Sequence, residues 1–281
     1  LSNLLIRGKQ PDAAGNTLTI TPQSAGWKYV GFQVFKLRPG QCLSQETGAN
    51  EICVVLLSGI ANVSTQHERY NQIGRRMSVF EQTPPFSVYV PARDEIQVEA
   101  MTELEIAICA APAEGRWEAR LITPDQVGVE QRGYGAMERT IHNILPEREE
   151  AERLLVVEVF TPAGHWSSYP PHKHDQDDLP RESLLEETYY YKIAPVEGFA
   201  MQRVYTDDLS LDETIVVHDG DAVMVPHGYH PVSAPPGYGV YYLNVMAGPM
   251  RTWKFHNDPK HEWLLRPGKE APAHESNPVS E

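Results

Sequence analysis

Cysteine is scarce: Cys42, Cys53 and Cys109 are the only three, an odd number, and all lie in the first half. That excludes a scaffold stapled by disulfides. Cys53 and Cys109 sit in apolar, strand-like stretches and are expected to be buried thiols, whereas Cys42 lies in a more polar one; the setting is read as reducing and cytoplasmic. Basic residues are few as well, 24 Lys and Arg against 38 Asp and Glu, for a formal net charge of −14. Such a surface suits neither nucleic acid nor an anionic membrane. No apolar run approaches the roughly 20 residues a spanning helix needs. The opening LSNLLIRGKQPDAAG turns polar too soon for a signal peptide. Long helical periods are also missing.

What is present is strand rhythm, and with 41% hydrophobic residues a real core can form. Residues 26–111 read as all-β. GWKYVGFQVFKL alternates, EICVVLLSG is an apolar run ended by Ser58-Gly59, and FSVYVPA, EIQVEA and LEIAICAA follow at the short spacing of a sandwich or barrel. Residues 123–153 are charged and poorly periodic. From Leu154 the rhythm returns in LLVVEVF, EETYYYKIA, FAMQRVYT, ETIVVHDG, AVMVP and GVYYLNVMAG. Both halves carry a glutamate leading into an apolar strand, Glu51 and Glu187, and a late Val-Pro turn, YVPARDE and MVPHGYH, which suggests internal duplication. The expected organisation is a barrel over 1–125, a linker with a short helix over 126–153, a second barrel over 154–263 and a tail over 264–281. The tail is rich in Pro, Ser, Glu and Lys, and no chemistry is placed on its His274.

The stretch 170–191, PPHKHDQDDLPRESLLEETYYY, carries the chemistry. In an extended strand His172 and His174 point the same way, as two imidazoles gripping one ion must. A third histidine, His230, follows in GDAVMVPHGYH. There Gly220-Asp221 signals a turn, AVMV suits a buried strand, and Pro226 and Gly228 shape a tight turn that can throw His230 inward. Three neutral imidazoles and one carboxylate suit Zn, Mn, Fe or Ni. Strand parity leaves the carboxylate open: Glu187 shares a face with Tyr189 and Tyr191, Glu186 with Thr188 and Tyr190. The first half has no HxH, and Pro91-Ala92-Arg93 leads to no histidine, so no metal site is expected there. His165, His218 and His227 are expected in turns or on the surface.

The paired signatures resemble those of the cupin superfamily, small β-barrels with a metal inside. This chain has a longer gap between His174 and Glu187 than that pattern, a single residue between Gly228 and His230, and Ala234 where an asparagine is frequent. Longer segments, SSYPPHKHD, ESLLEETYYY, GFAMQRVYTDD, GYHPVSAPPGYGVYYLNVMAGPMRTW and NDP, resemble the 5-deoxy-glucuronate isomerase family of inositol catabolism. The resemblance implies a bicupin whose N-terminal barrel lacks the metal ligands. It also implies a metal-assisted aldose–ketose isomerisation of 5-deoxy-D-glucuronate to 5-dehydro-2-deoxy-D-gluconate. The similarity to hexuronate isomerase cupins favours Glu187 beside His172, His174 and His230, around one divalent ion with zinc expected first.

For catalysis we expect the enediol route to draw on Glu186, Tyr191 or Glu182, with Tyr205 and Tyr242 lining the barrel as donors to sugar hydroxyls; filling the barrel is the plainer role for any of these aromatics. Arg203 is the expected fork for the substrate carboxylate, against an ion pair with Asp207, Asp208 or Glu158, and Lys173 and Arg181 stand behind it. Two rival functions keep the metal or the pocket: an Fe(II) cupin dioxygenase or other sugar-acid isomerase, and a sugar-binding module without turnover. Exposed strand edges offer a route to a homo-oligomer.

Overall fold

The structure, a computed structural model, describes residues 4–266. His274 and the tail beyond Arg266 lie outside the described residues. The fold is all-β. In the first half a six-stranded antiparallel sheet runs in the order Arg120–Ile122, Ser87–Val90, Asn50–Ser58, Leu104–Pro112, Gly31–Leu37, Asn16–Ile20. A four-stranded sheet (Cys42–Glu46, Glu95–Ala100, Ala61–Ser64, Arg69–Ile73) closes against it. The second half repeats this plan. Its seven-stranded sheet runs Leu5–Ile6, Ala222–Val225, Glu186–Ala194, Gly239–Ala247, Leu155–Thr161, Arg139–Leu145, Gly128–Arg132. Its four-stranded sheet is Trp166–Ser167, Val232–Ser233, Ala200–Tyr205 and Asp212–Val217.

The large sheets are buried on both faces, which is why their strands read as unbroken apolar runs. Along Asn50–Ser58, Ile52, Val54 and Leu56 fill the first barrel. Cys53, Val55 and Leu57 turn the other way, into a middle core shared with Val156, Tyr190, Leu243 and Val245 of the second half. A third core, with Val157, Tyr191, Val204 and Val217, fills the second barrel.

The expected linker is corrected. Residues 126–153 contain Gly128–Arg132 and Arg139–Leu145, both strands of the second large sheet, and only a single 3-10 turn, Gly135–Met137, stands where a helix was expected. The stretch read as aperiodic because it is an edge, charged outside, with its apolar residues Ile141, Ile144 and Leu145 few and closely spaced.

Two devices join the halves. The first half hands a strand to the second: Leu5–Ile6 pairs on the edge of Ala222–Val225. Each half also sends a carboxylate across. Glu51 accepts from the backbone N–H groups of Glu152, Arg153 and Leu154 at 2.6–2.8 Å. Glu186 accepts from those of Lys28, Tyr29 and Val30 at 2.7–2.9 Å. The register makes these the same position: Ile52 pairs with Val90 as Glu187 pairs with Val225, so Glu51 corresponds to Glu186 and not to Glu187. Between the two clasps Arg153 lies over the ring of Tyr29, 5.4 Å from its centroid.

Candidate metal centre

The strand Glu186–Ala194 alternates as its sequence predicts. Glu187, Tyr189 and Tyr191 enter the second barrel, and Glu187 is 2% exposed. Tyr190 enters the middle core, where its hydroxyl donates to Glu105. The sharp turn at Gly228, at φ +91° and with no room for a Cβ beside the Tyr205 carbonyl, returns His230 to the interior.

His174, Glu187 and His230 converge, their ligand atoms within 4.8 Å of one another. The rings of His172 and His230 are 5.0 Å apart, and those of His174 and His230 are 5.1 Å apart. His172 stands outside the tight trio and closes one wall. Hydrogen bonding decides which atoms point inward. His174 Nδ1 is 3.1 Å from the Leu185 carbonyl, and His230 Nδ1 is 2.8 Å from the Gly228 carbonyl. A carbonyl only accepts, so each Nδ1 carries the proton and each neutral ring presents its Nε2 lone pair. Those two Nε2 atoms face Glu187 Oε2 at 3.1 and 3.2 Å. His230 Nε2 is enclosed and has no hydrogen-bond partner. Acceptors facing one another ask for a cation, and imidazoles oriented by backbone carbonyls are how proteins hold one.

The electrostatics agree for two of the three rings. Burial holds His172 well below the ordinary imidazole range, and His230 and His174 push it the same way. Burial also lowers His230, against the pull of Glu187. His174 goes up: burial lowers it, but the bond to Glu187 and its charge win. A proton on His174 and a metal ion would occupy the same seat against Glu187, so the two compete.

Around the trio stand phenols. Tyr189 Oη is 3.0 Å from Ser168 Oγ, which is 3.4 Å from Tyr242 Oη. Burial pushes Tyr189 well above the ordinary phenol range and raises Tyr242, so both remain protonated donors. Tyr191 donates to Gln202 Oε1 at 2.8 Å, and Gln202 Nε2 donates to the His230 carbonyl. Tyr191 therefore braces the His230 turn.

Several expected site residues have other work. Arg203 forks onto Asp212 at 2.7 and 2.9 Å on the outer face, not onto Asp207, Asp208 or Glu158. The inward side chains of its strand are Gln202 and Val204, one parity step away. Glu182 accepts from Lys173 Nζ at 3.2 Å and from the backbone N–H groups of Asp175 and Gln176. Lys173 also bonds Asp175 at 2.6 Å. The Lys173–Asp175–Glu182 knot thus holds the backbone that carries His172 and His174. Arg181 pairs with Asp178 in solvent. Tyr205 donates to Asp258 at 2.8 Å, fixing the segment His256–Asn257 that pairs with His172–Lys173. Glu186 is spent on its clasp. His218 and His227 are exposed and His165 is half-buried, all in turns.

The sequence reading missed Ser168, Tyr189 and Arg139. Tyr189 had a signal, its shared parity with Glu187; Arg139 had none, because its strand reads as linker. Arg139 and His172 line one cavity of about 560 Å³, walled by Tyr169, Trp253, Phe255 and Asn257.

The sequence profile of the KduI/IolB family matches residues 4–264. A protein of Geobacillus kaustophilus named 5-deoxy-glucuronate isomerase is 64% identical over 265 residues, 94% of this chain and 96% of the other. One of the same name from Bacillus subtilis strain 168 is 49% identical over 247 residues, 88% of this chain and 91% of the other. The crystal structure of an IolB-like protein from Salmonella typhimurium is similar at TM-score 0.92 and 49% identity, covering 94% of this chain and all of that one. Oxalate decarboxylase of Lactobacillus farciminis is similar at TM-score 0.62 and 13% identity, over 92% of this chain and 89% of its own, a likeness of fold alone.

Proposed function

The chain belongs to the KduI/IolB family, and from that premise we propose that it isomerises 5-deoxy-D-glucuronate to 5-dehydro-2-deoxy-D-gluconate in myo-inositol catabolism. The observation that carries a metal-assisted reaction is the facing of the His174 and His230 Nε2 lone pairs with Glu187 Oε2 inside a closed barrel. We read His172, His174, Glu187 and His230 as the ligands of one divalent ion, zinc first, with Mn, Fe or Ni as substitutes. The reading of the fold as a bicupin with an empty first barrel is supported by Ile52, an apolar residue at the register position of Glu187.

When bound, such an ion supplies Lewis-acid polarisation of the aldehyde and of the neighbouring hydroxyl. The chain's own residues do the rest. Tyr189 and Tyr242, linked through Ser168 and kept protonated by burial, donate to sugar oxygens as charge develops on them. Phe255, its ring 4.6 Å from that of His172, packs against that imidazole on the substrate side of the site. The exchange needs one proton removed from C2 and one delivered to C1, with no oxidant.

The test is NMR of products after the metal-loaded protein meets 5-deoxy-D-glucuronate in deuterated water. Conversion with solvent deuterium on the product is expected. No conversion at full metal loading would overturn the isomerase reading, and complete retention of the original hydrogen would retire the enediol route in favour of a hydride shift.

A further inference from the structure

Arg139 is a half-buried arginine at a wall that also holds His172. Its Nη1 donates to two backbone carbonyls, Met137 at 3.0 Å and Tyr169 at 3.3 Å. Among the described residues no carboxylate lies within ion-pair distance of it. The nearest candidate, Glu130, is engaged by Arg132 at 2.6 Å and by Asn143 Nδ2 at 3.2 Å. A buried guanidinium without a counter-charge is costly. Burial pulls Arg139 below the ordinary arginine range; Tyr242 and Glu130, though Glu130 makes no ion pair with it, oppose this, and Arg132 adds to it. Arg132 itself lies over the Trp253 ring, 5.6 Å from its centroid, on the rim of the same cavity. The indole Nε1 of Trp253 is enclosed and has no partner. Two cations, an unused donor and a cavity of about 560 Å³ that reaches His172 describe a seat for a small anion.

The chain is shaped around this guanidinium. Gly133 holds φ +83°, and a Cβ there would stand 2.8 Å from Arg139 Nη1 and 2.0 Å from the Met137 carbonyl oxygen. Tyr134 donates to the Leu264 carbonyl, and Leu264 and Leu265 close the outer side of the cavity. A planar fork, oriented by two carbonyls and left with free N–H groups, matches a carboxylate better than a single point charge would.

We propose that Arg139 binds the carboxylate of the substrate and so sets the enzyme's choice of sugar acids over neutral sugars, with the aldehyde end directed past His172 to the metal centre. This assignment rests on the isomerase reading. Its test uses Arg139→Gln and Arg139→Lys in the full, metal-loaded chain. For Arg139→Gln the KM for 5-deoxy-D-glucuronate should rise about 100-fold, the usual scale for stranding one partner of a buried charge pair. The kcat should change much less, metal content and Tm should stay at wild-type values, and Arg139→Lys should recover part of the loss. Calorimetry with D-gluconate, an unreactive hexonate, keeps the two readings apart: it should bind wild type and bind Arg139→Gln at least 10-fold more weakly. If wild type converts nothing but binds gluconate through Arg139, only the isomerase reading falls. Equal gluconate affinity in wild type and Arg139→Gln, or an unchanged KM, overturns the carboxylate seat.

Discussion

Asp175 ties together two motifs that lie far apart in the sequence. One carboxylate oxygen accepts from Lys173 inside the HxH loop, and the other accepts from the Gly228 N–H at 2.8 Å in the turn that delivers His230. The two groups of histidines are therefore held by one side chain. Asp175→Asn keeps the size but weakens both bonds. We expect its metal affinity to fall about 10- to 100-fold, the usual effect of removing a group that orients ligands, with the fold intact. Chelator competition measures this, and wild-type affinity in the variant would show that the His230 turn stands without Asp175. At this scale much of the site was legible. The i, i+2 spacing of His172 and His174 fixes their shared direction, and the Pro226–Gly228 turn points to His230. Arg203 misled because a charged residue in a strand shows its parity only once the neighbours are placed, and here Gln202 faces in. Arg139 was hidden because a fork waiting for a ligand has no complementary residue in the chain to give it away.

The strand Glu186–Ala194 serves two bodies at once. Its inward side chains build the candidate site, and its outward ones, Glu186 and Tyr190, build the joint with the first half. Nothing local marks Glu186 as a clasp, since its partners are backbone N–H groups 156 to 158 residues away. Because those donors are otherwise unmet, Glu186→Ala should lower stability by about 1–3 kcal/mol, discounted from the full value of three charge-assisted bonds by partial exposure. Denaturant unfolding reads the loss. The kcat at a temperature where the variant is folded should be close to wild type, and a collapse of kcat there would return Glu186 to the catalytic group.

Across the whole molecule the halves meet on a middle core with one ionic knot in it. Arg76, from the first half, forks onto Glu158 of the second at 2.7 and 2.8 Å, and His142 and Tyr241 bond the same carboxylate. Arg76 and Glu158 are both essentially buried. Removing one partner strands the other, so Arg76→Met should destabilise by about 3–5 kcal/mol. Burial alone would raise the Glu158 carboxyl, but Arg76 and His142 hold it below its ordinary value. Its contribution is then full above the unfolded glutamate value of about 4.3 and is lost only as pH falls through the lower folded value. The part of the wild-type Tm that depends on Arg76, read as the difference from Arg76→Met, should hold steady on acidification to about pH 4.3 and then shrink. Identical acid profiles in the two proteins would mean the knot carries little.

The seat of strand Leu5–Ile6 on the second half's sheet reaches further than stability. A gene cut between the halves would not yield a self-sufficient catalytic module, because the histidine-bearing half would lack a border that only its sibling encodes. The barrel with the histidines is finished by residues translated before any of its own, so the coding unit for its complete large sheet runs from Leu5 to Ala247.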